Sequence, residues 1–211
     1  MALDIFLGKS LQEYGYEDLI GLDRKQLMAL FCQLESPSIS EMNGEYRAAL
    51  LDNGHVINQL LAWFYLYFTW GPWQHKAFEP IDAHCGHGYN TFVTSQSSLS
   101  ENCILAGFDK MLHIAKLLFQ VRSPARMARF LKNNTTIVAS VFDGRPSFQL
   151  NYRYYNQFYT NTMIDELRKV NDRLFLGIGR LKVTFGKYNP FPFALMGPPD
   201  PWVGPDIPFP E

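Results

Sequence analysis

The stretch RLFLGIGRL, residues 173–181, limits the fold more than any other part of the chain. On an extended strand, alternation puts Leu174, Leu176 and Ile178 on one face and Phe175, Gly177, Gly179 and Leu181 on the other. Neither face carries the polar side chains that a wet sheet surface needs, so this strand has to be covered on both sides. Its two glycines let a neighbouring backbone or ring come close.

Other segments share the period of two. From Glu41, the residues Met42, Gly44, Tyr46, Ala48 and Leu50 fall on one face, while Glu41, Asn43, Glu45 and Arg47 fall on the other. Further strands are expected at 76–81, 88–94, 126–132, 136–142, 147–155, 163–170 and 173–184. Asp143-Gly144 and Asn171-Asp172 are the residue types that close antiparallel hairpins. Many antiparallel strands with few helices predict a mostly β protein built as one closed or nearly closed barrel, because closure removes edges and leaves an interior for side chains or one small ligand.

Helices are expected at the start and in two connections. Asp23 suits an N-cap for RKQLMALFCQL, in which Leu27, Leu30, Phe31 and Leu34 form one apolar stripe. Residues 56–70 suit a helix or an aromatic-rich strand, with helix favoured, and 109–120 carries a helical polar stripe of Lys110, His113, Lys116 and Gln120. Beyond Lys187 lie eight of the thirteen prolines. Proline lacks the amide that a ladder needs, so residues 188–211 are expected as an extended tail outside the sheet, pinned by Phe191, Phe193, Trp202 and Phe209. The resulting division is 1–40 helical, 41–187 barrel and 188–211 tail.

Composition excludes several functions. A chain of 211 residues with 47% hydrophobic content can bury one core. With net charge -1 and no run of Lys or Arg longer than two, it lacks the footprint that phosphate backbones require, so nucleic acid is not expected as a partner. The apolar run Leu60 to Phe68 is far short of the roughly 20 residues that cross a bilayer. Asp4 in place of a basic leader, and three cysteines without a CxxC pair, point to the cytosol, reduced thiols and no disulfide framework.

Several blocks carry a family likeness. Gly44-Glu45-Tyr46-Arg47-Ala48 stands where a GxWxG motif would, with Tyr for Trp and Ala for the last Gly; Asp52 to His55 followed by Leu60-Leu61 is similar to a TGH segment leading into a leucine-rich helix. WQHKAF, from Trp73 to Phe78, is similar to WxGKxF with His75 in place of Gly, and ARMARFLKNNTTIVASVFDGRP and IDELRKVNDRLFLGIG match further blocks. Over residues 41–180 the chain thus resembles an uncharacterised family of bacterial and fungal proteins named for GxWxG. The resemblance implies a lipocalin-like barrel with a hairpin lengthened over Gln149 to Thr162, and it brings no activity with it.

Three constellations bear on chemistry. In DAHCGHGYN, residues 82–90, a strand would point His84 away from Cys85 and His87, so no metal site is expected. No phosphate loop, dinucleotide fingerprint, nucleophile elbow or HExxH is present, and no cofactor is expected. Lys76 alternates with Phe78, so it is either a solvated strand lysine or a lysine walled by aromatics beside His75. Glu45 with Arg47, and Glu166 with Arg168, project from common faces next to Asp165, either as surface pairs or as a charged site.

Tyr46, Trp73, Phe78, Tyr89, Tyr152 and Tyr154 supply aromatic walls suited to an apolar ligand. The expected function is that of a cofactor-independent isomerase or cyclase of a lipophilic small molecule, terpenoid or polyketide in type. Lys76, His75, Asp165 or Glu166 would move the proton, and Arg168 would pair with Glu166. The alternative is a non-catalytic carrier. The sequence leaves a homodimer open.

Overall fold

The computed structural model describes residues 8–63, 70–95 and 125–210. Its frame is a closed barrel of eight antiparallel strands: β1 (Gly44–Leu50), β2 (Trp73–Pro80), β3 (Cys85–Ser95), β4 (Ala125–Ala139), β5 (Pro146–Asn151), β6 (Ile164–Asn171), β7 (Leu174–Arg180) and β8 (Phe191–Asp200). Each strand pairs with its chain neighbours and β8 returns to β1, giving the mostly β antiparallel barrel expected from the alternating segments. Gly144 turns the β4–β5 hairpin at φ 76°, and Asn171 accepts the Arg173 amide at 3.0 Å in the β6–β7 hairpin.

The barrel wall separates two apolar clusters. Inside, Tyr46, Phe78, Phe148, Leu150, Leu167, Phe175 and Leu195 interlock. Outside, Leu174, Leu176 and Ile178 of β7, with Val170 and Ala194, meet Leu19, Leu22, Leu27, Leu30, Phe31 and Leu34. These last residues come from α1 (Tyr16–Ile20), α2 (Arg24–Phe31) and the chain between and after them. Asp23 caps α2, accepting the Gln26 amide at 2.8 Å while Gln26 accepts the Asp23 amide at 2.9 Å. The doubly apolar β7 is therefore covered by ring stacking within and by helices without, and a side chain at Gly177 would collide with Phe193 and Leu167.

Residues 126–132 and 136–139 belong to one strand, not two, and 140–142, expected as strand, lie in the turn that follows. Asn133 and Asn134, poor strand residues by propensity, are carried through because Gly88 leaves room for Asn133, and Tyr155 Oη donates to Asn134 Oδ1 at 2.8 Å. A bulge at Leu131, whose φ is 54°, absorbs the extra residue. The region 147–155 forms strand only to Asn151, and 173–184 only to Arg180 before a 3-10 turn at Lys182–Thr184. The helix expected from residue 56 is α3 (Val56–Trp63), whereas its continuation and the helix expected at 109–120 lie outside the described residues.

The largest departure is at the C-terminus. Residues 191–200 are not a tail but β8, so the barrel spans 44–200 and not 41–187. Proline does forbid laddering where an amide is needed, yet Phe193-Ala194-Leu195-Met196 carries no proline, and these four residues pair with β1 on one side and β7 on the other. Only 201–210 lies over the wall as expected. Trp202 packs on Tyr89 with ring centres 4.6 Å apart, Phe209 stacks on His87 at 3.9 Å, and the Asp206 amide donates to the Arg129 carbonyl at 2.9 Å.

The two parts of the C-terminus should separate on truncation. Ending the chain after Asp200 removes the Trp202 and Phe209 contacts, worth about 1–2 kcal/mol each at partial burial, and should lower the melting temperature by roughly 3–10 °C in a barrel that still folds. Ending it after Lys187 removes β8 and should abolish the cooperative thermal transition in circular dichroism.

Candidate functional site

Lys76 points into the barrel by alternation with Phe78, and a bulge brings Trp73 to the same face. Trp73 pairs with Phe92 and His75 with Thr91, so β2 carries an extra residue at Gln74, and both Trp73 and Lys76 point inward. Asn90 stands opposite Lys76 in register, Asp165 enters from β6, and Tyr152 follows the end of β5. Lys76 is 3% exposed. Its Nζ lies 2.6 Å from Asp165 Oδ2, 2.6 Å from Tyr152 Oη and 3.0 Å from Asn90 Oδ1.

The four residues form a closed network. Tyr152 Oη donates to Asp165 Oδ2 at 3.0 Å, Asn90 Nδ2 donates to Tyr152 Oη at 3.2 Å, and Trp73 Nε1 donates to Asn90 Oδ1 at 3.1 Å. The rings of Trp73 and Phe193 stand 5.3 and 5.1 Å from Nζ and offer the cation their faces, while Tyr152 meets it through its hydroxyl. Burial pushes the Lys76 ammonium below its ordinary range, and the Asp165 carboxylate pulls it back. Asp165 Oδ1 accepts no hydrogen bond from the described residues, and Gly179 opposite it leaves the space that a Cβ would take, 3.1 Å from that oxygen.

Lys76, Asn90, Asp165 and Thr184 are the polar residues in the wall of a cavity of about 320 Å³. The rest of the wall is mostly apolar: Leu50, Trp73, Leu131, Met163, Leu181, Phe191 and Phe193, with Leu61, Ala62, Tyr159 and Val183 also contributing. These last four come from the β1–β2, β5–β6 and β7–β8 connections, which share one end of the barrel, while the 81–84, 140–145 and 172–173 turns close the other. Tyr46, Phe78, Phe148 and Phe175 pack edge to face beneath, between the cavity and the closed end.

The residues singled out from sequence separate accordingly. Lys76, Asp165 and Trp73 are on the cavity wall, and Tyr152 binds the first two from behind it. Tyr46 and Phe78 are core, with Tyr46 Oη donating to the Glu41 carbonyl. His75 points outward beside Arg47, where burial holds its imidazole below the usual range. Tyr89 is also outside, donating to Glu45 beneath the terminal strap; burial and that carboxylate push its phenol up. Tyr154 is 74% exposed.

Glu166 and Arg168, expected as charged groups at the site, are buried on the wrong side of the wall for it. Asp165 and Leu167 alternate inward, so their neighbours face the helices. Arg168 holds Asp143 through two bonds of 2.7 Å, donates to the Phe31 carbonyl at 3.0 Å and lies over the Phe31 ring. Glu166 accepts the Val141 amide at 3.4 Å, with Arg180 at 3.7 Å. Burial raises the Asp143 carboxyl, but the Arg168 guanidinium and the amide and charge of Arg145 together outweigh it and the net shift is down. Sequence reasoning missed Asn90, Leu131, Met163, Phe191 and Phe193. Asn90 was reachable: once IDAHC is taken as a turn, Lys76 and Asn90 fall opposite each other.

His84 is exposed in the 81–84 turn, where Asp82 accepts its amide at 2.6 Å, and His87 is engaged by Phe209 and Tyr155. Among the described residues no three His, Cys, Asp or Glu side chains are grouped as metal ligands, and no helix is long and apolar enough to cross a membrane.

No family model matches the chain, and no curated protein matches it. A crystal structure of a protein from Thermomonospora curvata is similar at a TM-score of 0.48, with 18% identity over 83% of this chain and 87% of that one.

If Arg168 serves the hairpin and not the cavity, Arg168→Met should remove about 3 kcal/mol of stability by leaving Asp143 without its partner. Urea denaturation should record that loss, while a hydrophobic dye bound in the cavity should keep its affinity.

Proposed function

We propose that the barrel binds a lipophilic small molecule, terpenoid or polyketide in type, and moves a proton on it without a cofactor, as an isomerase or cyclase does. The observation that carries this reading is the Lys76–Asp165 pair, 2.6 Å apart, on the wall of an otherwise apolar cavity. Taking two charges out of water costs several kcal/mol per ion before their attraction is counted, and a cavity that only stores apolar cargo has no use for them. Asp165 offers Oδ1 as the base, Lys76 and Tyr152 hold Oδ2, and the apolar walls set the ligand's conformation. Cys32 and Cys85 are free thiols, which suits a reducing compartment such as the cytosol.

The carrier reading keeps one specific support: each proton of the Lys76 ammonium already has an acceptor in Asp165, Tyr152 or Asn90, so the network stands without a ligand.

Deuterium separates the two. Native mass spectrometry of the purified protein identifies a co-purified apolar molecule, and the complex is then incubated in heavy water. A proton-moving enzyme should write deuterium into carbon positions of the released molecule, and Asp165→Asn should slow this by roughly a hundredfold or more. Retention of the molecule without any deuterium uptake would establish the carrier.

A further inference from the structure

Lys76 is the one lysine among the described residues that is buried, and it is the only charged group besides Asp165 on the described cavity wall. Its Nζ has a hydroxyl and a carboxylate at 2.6 Å and an amide oxygen at 3.0 Å, so an acid, a base and an orienting acceptor surround one nitrogen beside an apolar space. Three acceptors satisfy the three ammonium protons, and what stability alone does not ask for is the placement of this nitrogen beside an apolar space. We propose that Lys76 is a covalent site, where Nζ forms a Schiff base with the carbonyl carbon of a lipophilic aldehyde or ketone held in the cavity. The proposal rests on the pocket reading above and names its substrate class.

The chemistry balances within the network. The ammonium passes one proton to Asp165, the freed lone pair of Nζ attacks the carbonyl carbon to form the C–N bond, and a second Nζ proton moves to the carbonyl oxygen, which becomes a hydroxyl as the C=O π bond breaks. Protonated Asp165 returns the proton to that hydroxyl, which leaves as water. An iminium then stands where the ammonium stood, and Asp165 is again a carboxylate. The charge pair is thus restored on the ligand, with no oxidant or reductant consumed.

The iminium acidifies the neighbouring C–H, and Asp165 can take that proton and deliver it to another carbon. This is isomerisation, and hydrolysis by one water frees the product. Tyr152 and Asn90 hold the two N–H bonds that Nζ keeps after its first proton leaves. Burial disfavours the ammonium and so eases loss of the proton that precedes the attack.

The test traps the imine on the full-length protein with trans-cinnamaldehyde and cyanoborohydride, followed by peptide mapping. The expected result is one adduct per chain, on the peptide containing Lys76, formed at least about tenfold faster than adducts on exposed lysines such as Lys182 and Lys187. The double variant Lys76→Met with Asp165→Leu removes both charges together, and it should lose this adduct yet still hold the aldehyde in a native mass spectrum. Asp165→Asn should slow trapping at an intact Lys76.

Labelling spread over the exposed lysines with the Lys76 peptide unmodified, while native spectra show the aldehyde bound, would overturn the covalent site and leave the pocket reading standing. Absence of both binding and labelling would overturn this inference and count against the apolar pocket itself.

Discussion

Everything inside this protein depends on the seam between β8 and β1. Without it the eight strands are an open sheet with two edges, and the side chains now inside would face water. The seam is fitted closely. Gly44, at φ 105°, sits where a Cβ would lie 2.4 Å from the Asp200 carbonyl, and on the other flank Gly177 clears space for the Phe193 ring. Two residues without side chains therefore let β8 approach both of its neighbours.

Closure creates two different kinds of buried place, and they do different work. The outer face of β6–β8 is dry because helices lie on it, and there Glu166 and Arg168 tie the 140–145 turn and the end of α2 to the wall. The inner face is dry because the barrel is shut, and there Lys76 and Asp165 adjoin the apolar wall of the cavity. Burial of a titratable group alone does not mark a site; which side of the sheet it occupies does.

The interior pair is held by more than its own attraction. Five protein-to-protein hydrogen bonds among Lys76, Asp165, Tyr152 and Asn90, together with the Trp73 bond to Asn90, replace the water that both charges gave up. Removing one member exposes the rest of the set to an uncompensated charge, so single substitutions here mix structural and chemical effects. The double replacement of Lys76 and Asp165 avoids that confusion.

The sequence by itself determined the local and periodic parts. Alternation in 44–50 and 174–180, the turn residues Asp143-Gly144 and Asn171, and the Asp23 cap depend on neighbours a few residues away, and each stands as read. The pairing of Lys76 with Phe78 on one face was legible for the same reason, as was the two-sided burial of β7. Tertiary structure alone decided which face became the inside. Asp165 and Glu166 are adjacent carboxylates with equal claims in the sequence, and a register set by β5 and β7 sends one to the cavity and the other to the helices.

It also decided that a proline-rich segment could be a strand. The four residues 193–196 find amide partners only when two strands distant in sequence bracket them. Period-two patterns carry the direction of a side chain relative to its neighbours but not the identity of what lies on each side, because that depends on long-range pairing that no local window contains.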